Sequence, residues 1–404
     1  MDKNQTAKEQ AGHVRPYHNL TFGLYRLAGR AYAGLRAGFR VQHTNKGADT
    51  PHLILSNSQT LLDELWLRMG FDYPVYCVRT QHTRPNLLTW VTDALTAPIV
   101  QKPGAALWSE ECIAQMREVL AAGGSVGLFP MGQPPYGYVP GQVDMQTISL
   151  IRTLRVPFTL YTVRGGIGAM PRWSDGRRKG PFEGHIGQSV TVEEYDAMPD
   201  EQLSALISRA LVQNDRPLAL PYKSNHRAEK LERVLYVCPR CRDHSGLYSS
   251  GNHVSCRGCG MTANFTETGN FIFLNCETPI STPDGWMDYQ ASWLRTHLDR
   301  LEGDFFTDKG VMVHSVGKTP ADEPLFGTLT MSREKLLIRF EDGEAGTRSV
   351  GFHIDAITSM RPVGAVKLSV STEKGTWEIT GAPDFCAYKY AQVFNALRAQ
   401  SENQ

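Results

Sequence analysis

His52-Leu53-Ile54-Leu55-Ser56-Asn57-Ser58-Gln59-Thr60-Leu61-Leu62-Asp63 is the stretch whose reading decides the fold of the N-terminal half. Its opening, His52–Leu55, reads as a short strand. An apolar run without polar alternation suits a strand covered on both faces. A helix is expected to open directly behind it, where side chains about five positions apart can meet through the first turn. Ser58 and Asp63 are such a pair. Serine titrates far above neutral pH, and a hydroxyl beside a carboxylate is not an activated nucleophile. Activation needs a base such as imidazole, held in one tautomer by the acid.

Working outward, Gly127-Leu128-Phe129-Pro130-Met131-Gly132-Gln133 reads as a strand end followed by a loop. Val156-Pro157-Phe158-Thr159-Leu160-Tyr161 is another hydrophobic strand. Ala97-Pro98-Ile99-Val100-Gln101-Lys102 ends in a cation. Trp108 to Ala122 reads as a helix stopped by Gly123-Gly124.

These elements, in this order over residues 15–215, resemble the glycerolipid (lysophosphatidate-type) acyltransferase family. The resemblance implies an α/β domain, a sheet flanked by helices. It implies acyl transfer from an acyl-CoA or acyl-carrier-protein thioester to a lysophospholipid-like or other hydroxyl acceptor. By that resemblance Ser58 and Asp63 hold the catalytic positions, Asp63 orienting the base. Asn57, Lys102, Phe129, Pro130, Met131 and Gly132 hold the substrate-binding ones. The chain departs from the family pattern at two points. The family's His, directly after Asn and five residues before Asp, is Ser58 here, and the Glu of its Phe-Pro-Glu-Gly loop is Met131. Lys102 also stands where the family usually has Arg, so a point charge replaces a bidentate phosphate fork.

Both departures fall on the chemistry of motifs whose neighbours still fit. A natural pseudoenzyme, chemistry with a different base and an engineered inactive variant all stay open. His52, His82 and His43 are the candidate substitute bases, and Tyr136 and Tyr138 are candidate pocket-lining aromatics. The resemblance therefore carries two functions. One is an acyltransferase with impaired activity. The other is a non-catalytic lipid- or acyl-carrier-binding scaffold, and Ser58 with Met131 favours it.

At 404 residues the chain is too long for one ordinary core, so two or three domains are expected. Its 42 basic and 41 acidic residues argue against general nucleic-acid binding. No apolar run is long enough to span a bilayer, and the polar N-terminus lacks a secretory pattern. Cytoplasmic residence is expected, with peripheral contact at the inner membrane face. That contact is assigned to residues 18–40, an amphipathic segment. Leu20, Leu24, Leu27, Ala31 and Leu35 form one stripe, among Arg26, Arg30, Arg36 and Arg40. The alternative is a helix packed on its own domain. Arg172, Arg177, Arg178 and Lys179 read as a basic loop, facing headgroups or solvent.

Cys238-Pro239-Arg240-Cys241 and Cys256-Arg257-Gly258-Cys259 are two Cys-x-x-Cys knuckles. Four thiolates complete the closed tetrahedral site of structural Zn2+, so residues 231–265 read as a zinc ribbon entered by a strand at Val234–Val237. Paired disulfides are disfavoured in a cytoplasmic chain. A closed site contributes folding energy and no chemistry.

Pro217 and Pro221 mark a boundary after a closing helix at Asp200–Gln213. Gly285 to Leu301 is helical. Residues 305–400 alternate as short strands at Gly327–Met331, Lys335–Phe340, Ser349–Ile354, Ala365–Val370 and Thr376–Ile379, before a helix from Asp384 to Ala399. A small β-rich domain with a C-terminal helix resembles pleckstrin-homology-like domains.

Overall fold

A computed structural model describes residues 18–42, 51–80, 87–101, 108–212, 220–300, 302–315, 325–342 and 346–401. The chain forms two compact units. The first takes Met1–Pro135, Pro140–Gly166 and Pro181–Asp215. The second takes Tyr136–Val139, Ile167–Gly180 and Arg216–Gln404.

The first unit is a mixed α/β sheet domain. Its strands are β1 (Arg40–Val41), β2 (Leu53–Ser56), β3 (Val75–Thr80), β4 (Ile99–Gln101), β5 (Ser125–Leu128), β6 (Phe158–Arg164) and β7 (Glu183–Val190). They lie in the order β1-β7-β6-β2-β5-β3-β4. β2 runs parallel to both β5 and β6, while β7 pairs antiparallel to β6. Every residue of β2 and β5 is buried, as expected for central parallel strands.

Five helices of this unit concern the site: α1 (His18–Tyr32), α2 (Asp63–Met69), α3 (Leu87–Thr96), α4 (Glu110–Ala121) and α5 (Met145–Leu154). Ser109 caps α4 by accepting from the Cys112 N–H at 3.3 Å. A sixth, α6 (Asp200–Leu211), follows Pro199, close to the helix expected there. The core joins Leu53, Leu55, Val126, Leu128, Phe158 and Leu160 of the sheet to Met116, Val119, Ile148, Ile151 and Ile207 of the helices.

The 18–40 segment resolves into two faces. His18, Phe22, Gly29, Ala33 and Ala37 are buried, and His18 Nδ1 pairs with the Tyr76 hydroxyl at 2.8 Å. The leucine stripe faces out, with Leu20 68%, Leu27 69% and Leu35 83% exposed. The helix is therefore both packed on its domain and apolar outside. Phe39 is buried as well. Among the described residues no helix is long and apolar enough to cross a membrane.

The second unit begins with a four-stranded antiparallel sheet, β8 (Leu247–Ser250), β9 (His253–Cys256), β10 (Thr262–Phe265) and β11 (Phe271–Phe273). The expected strand at Val234–Val237 is instead a buried loop. Gln290 of α7 (Pro283–His297) supplies its hydrogen bonds. Its Oε1 accepts from the Tyr236 and Val237 N–H groups at 2.6 and 3.1 Å, and its Nε2 donates to the Val234 carbonyl at 3.1 Å. Trp286 Nε1 donates to the Val237 carbonyl at 2.9 Å. Apolar side chains bury this segment, and a side-chain amide replaces the ladder that would have made it a strand.

The C-terminal part is β-rich. Strands β12 (Phe306–Ser315), β13 (Leu325–Met331), β14 (Lys335–Asp342), β15 (Gly346–His353), β16 (Ile357–Val363), β17 (Lys367–Thr372) and β18 (Gly375–Thr380) form one antiparallel sheet. Their order is β15-β14-β13-β12-β18-β17-β16, two meanders joined through β12 and β18. Helix α8 (Ala387–Ser401) buries Tyr390, Val393, Phe394 and Leu397 in the same core as Leu329, Ile338, Leu368 and Ile379. β12 and β16 escaped the sequence reading, because neither alternates cleanly: β12 carries a bulge at Gly310 and β16 contains Pro362.

Candidate functional site

β2, β5 and β6 end on the same side, since Leu55 pairs in register with both Leu128 and Leu160. Loops that leave the carboxyl ends of adjacent parallel strands are where open α/β sheets bind ligands. Two such loops carry the expected site residues, Asn57–Asp63 and Phe129–Gly132.

Asn57 continues the β2–β6 pairing with its side chain. Its Nδ2 donates to the Val163 carbonyl and its Oδ1 accepts from the Val163 N–H, both at 2.8 Å. The side chain thus takes the place of a rung of the ladder, and the main chain is released from the sheet. The expected helix does not open here; α2 begins only at Asp63. Residues 58–62 instead wrap around the Asp63 carboxylate. Oδ2 accepts from Ser58 Oγ at 2.7 Å and the Gln59 N–H at 2.9 Å. Oδ1 accepts from the Thr60 N–H at 2.8 Å and Thr60 Oγ1 at 3.0 Å. Thr60 Oγ1 in turn accepts from Trp66 Nε1 at 2.8 Å.

Asp63 is buried, and burial pushes its carboxyl up to about 7, with the donated hydrogen bonds restraining the rise. A carboxylate offers roughly four lone-pair sites. All are engaged by the loop's own donors, so Asp63 acts as the hub of a closed turn.

Phe129, Pro130, Met131 and Gly132 form the turn after β5. The Gly132 N–H donates to the Phe129 carbonyl at 3.0 Å, with Gly132 at φ +70°, a conformation glycine adopts without strain. Met131, where the resemblance expects Glu, packs half-buried against the apolar core. Lys102 lies outside the described residues, as do His82 and His43.

His52 is described, and its position argues against a base. It precedes β2, at the end of the strand away from Asn57. Its Nε2 meets the Tyr73 hydroxyl at 3.0 Å and its Nδ1 meets Ser125 Oγ at 3.4 Å. The rise of a strand puts it roughly 16 Å from Asn57, where the loop starts. Tyr136 and Tyr138 belong to the second unit and serve packing there: Arg172 lies over the Tyr136 ring at 4.2 Å. The basic loop is likewise half interior. Arg172 and Arg178 are buried, and burial lowers both guanidinium pKa values, that of Arg178 to about 10. Only Arg177 and Lys179 reach solvent to any extent.

The second candidate site is the four-cysteine cluster. Sγ atoms of Cys238 and Cys259 lie 3.7 Å apart, as do those of Cys241 and Cys256, and all four fall within 4.8 Å of one another. A disulfide would need about 2.05 Å. Metal–sulfur bonds of about 2.3 Å at tetrahedral angles put sulfurs about 3.8 Å apart. The donor set therefore fits one metal ion. The two knuckles repeat one backbone design. The N–H of Arg242 returns to the Cys238 carbonyl and that of Gly260 to the Cys256 carbonyl, both at 2.9 Å. Both residues are left-handed, Arg242 at φ +64° and Gly260 at φ +71°. His244 and His253 are not in the cluster; His244 Nε2 meets the Phe305 carbonyl at 3.0 Å.

The fold and its two sites thus define a mixed α/β sheet domain, a four-thiol cluster able to hold a metal ion and a β-rich C-terminal region. No family model and no curated protein matches the chain. Among solved structures, it is similar to the 1-acyl-sn-glycerophosphate (LPA) acyltransferase PlsC from Thermotoga maritima. The TM-score is 0.41 and the identity 17%, over 49% of this chain and 79% of that one. It is also similar to the N-terminal PH domain of human ARAP2, with a TM-score of 0.20 and 15% identity over 24% and 85% of the two chains. A third similarity is to the C-terminal domain of an unknown protein from Leishmania infantum, with a TM-score of 0.17 and 13% identity over 28% and 96%. At these scores the reading of the sites rests on the chain's own geometry.

Proposed function

We propose that this chain is a peripheral lipid-binding protein on an acyltransferase-like scaffold, one that takes a lysophospholipid-like ligand without transferring an acyl group to it. The observation that carries the reading is the closed hydrogen-bond set of Asp63, with Ser58 Oγ at 2.7 Å where the resemblance expects an imidazole. Acyl transfer needs a group that removes the acceptor's proton. Ser58 cannot accept it at neutral pH. Asp63 turns its lone pairs to the loop's own donors, so none is aimed at an acceptor hydroxyl. Met131, spent on packing, leaves the second loop without its carboxylate.

The exposed leucines of α1 supply the peripheral contact. Leu87 and Trp90 of neighbouring α3 are also exposed, at 77% and 64%, and Arg30, Arg36 and Arg40 lie exposed along the same segment. Apolar groups flanked by cations suit the headgroup region of an anionic bilayer. In this reading the cysteine cluster holds structural zinc, and the β-rich region, pleckstrin-homology-like in pattern, is a docking module.

The test pairs binding with turnover. The purified chain should co-sediment with phosphatidylcholine vesicles containing lysophosphatidate and release no coenzyme A from an acyl-CoA. Ser58→His with Met131→Glu should gain release. Coenzyme A release by the unaltered chain, abolished by Asp63→Asn, would establish the acyltransferase reading instead. Failure to bind the vesicles would remove the lipid assignment.

A further inference from the structure

We propose that Arg240 is a positioning residue for the metal site: it fastens Cys238 to Cys259 and places a cation beside the thiolates. This rests on the reading of the four-cysteine cluster as a metal site, and every group it invokes belongs to the second unit.

Four thiolates around a divalent ion carry a net double negative charge. The ribbon's own groups surround that charge. Between Cys238 and Gly260 the sequence supplies Arg240, Arg242 and Arg257 against one acid, Asp243. All three arginines are exposed, and their side chains go different ways. Arg257 lies 4.7 Å over the Tyr248 ring, and Arg242 sits by Tyr289. Asp243 turns Oδ1 to the Ser245 N–H and hydroxyl at 2.9 and 3.0 Å.

Arg240 reaches across the cluster. Its backbone N–H and that of Cys241 donate to the Cys238 sulfur, and the N–H groups of Gly258 and Cys259 repeat this at Cys256. The Arg240 side chain then crosses to the other knuckle, where Nη1 donates to the Cys259 carbonyl at 3.2 Å. Cys238 and Cys259 form one of the two sulfur pairs 3.7 Å apart. A single residue thus holds one sulfur of that pair with its main chain and the other cysteine's backbone with its guanidinium.

Groups that orient metal ligands from outside the coordination sphere change metal affinity roughly ten- to hundredfold. Arg240 is exposed, so solvent screening keeps its share at the low end. The second knuckle has a further support. Asn275 Nδ2 donates to the Gly260 carbonyl at 2.8 Å, and its Oδ1 accepts from the Thr262 N–H at 2.9 Å. The ribbon is therefore expected to stay folded around its metal when Arg240 is changed.

Zinc affinity of the full chain, measured by competition with a chromogenic chelator, tests this. Arg240→Gln keeps an N–H donor and removes the charge. It should weaken zinc binding about tenfold while one zinc per chain is still bound at saturation. Arg240→Lys should recover most of the loss. The gap between the parent and Arg240→Gln should narrow as salt rises from about 0.05 M to about 0.5 M, since screening acts on the charge. Arg257→Gln, whose cation lies on Tyr248, should weaken zinc less than Arg240→Gln. Equal affinity in the parent and Arg240→Gln would overturn the proposal. So would a gap that salt leaves unchanged and Arg240→Lys does not close, which is the mark of a plain clasp. A parent chain that takes up no zinc would remove the metal reading itself, and the role of Arg240 with it.

Discussion

The Asn57–Asp63 loop and the four-cysteine ribbon are both small polar closures set in apolar surroundings, and they close in opposite ways. In the loop, one carboxylate gathers two N–H and two hydroxyl donors from its own neighbours. In the ribbon, four sulfurs converge on a common centre. The loop satisfies itself, with the lone pairs of its carboxylate turned to its own donors. The ribbon brings together four groups that bind a cation best as thiolates, which mutual repulsion would otherwise separate. Self-sufficiency marks a structural or binding role, and convergence of like groups marks a metal site.

Metal removal should break the comparison most strongly. Structural zinc contributes on the order of 10 kcal/mol to folding. Chelation, or Cys256→Ser, should abolish the cooperative unfolding of the second unit, and metal analysis of the native chain should give about one ion per chain. Metal-free protein with its thiols paired as disulfides would sink the ribbon assignment.

Asp63→Ala is next. It strands buried donors on Ser58, Gln59 and Thr60, and each unsatisfied group costs about 1–3 kcal/mol. A loss above about 3 kcal/mol is expected in urea unfolding. A loss below about 1 kcal/mol would mean that the carboxylate is not the hub of the loop.

The pH dependence sharpens the same point. Burial raises Asp63 to about 7, so the folded chain keeps a proton there that the unfolded chain releases nearer pH 4. This group's contribution to stability is present at acid pH and declines as pH rises from about 4 to about 7. Asp63→Asn should flatten that decline in pH-resolved thermal melts. An unchanged slope would place the titration elsewhere.

The two smallest effects probe the ribbon's backbone and the leucine face. Arg242 holds a left-handed conformation that Gly260 holds without a side chain. Arg242→Gly should therefore be neutral or stabilising by up to about 1 kcal/mol in the metal-bound chain. Leu24→Glu with Leu27→Glu should shift stability by no more than about 0.5 kcal/mol, since both leucines are exposed. The same pair should abolish co-sedimentation with anionic vesicles, and persistent binding would free α1 from that role.

Much of this was legible in sequence where the signal is local. The four clustered cysteines follow from the knuckle spacing, and β2 and β6 from short apolar runs that suit buried strands. The Ser58–Asp63 pairing was legible as well, though through the wrong geometry: a wrapped loop brings them together, and the helix begins only at Asp63. The role of Gln59 was missed, because a glutamine that bonds the Gly166 N–H across 107 positions leaves no local trace. Val234–Val237 misled for a related reason. Its side chains carry the apolar pattern of a strand, while its hydrogen bonds go to Gln290, more than fifty positions away.

The sequence by itself determined which runs must be inside and which four sulfurs could share an ion. Periodicity and spacing encode these directly. Only the tertiary structure decided where the polar groups of the interior find partners. It showed that Asp63 is fully engaged, that Arg172 and Arg178 point inward, and that Tyr136–Val139 and Ile167–Gly180 belong to the second unit. Buried polar groups must be paired, but the chain does not record with whom. The partner is fixed only when distant segments pack.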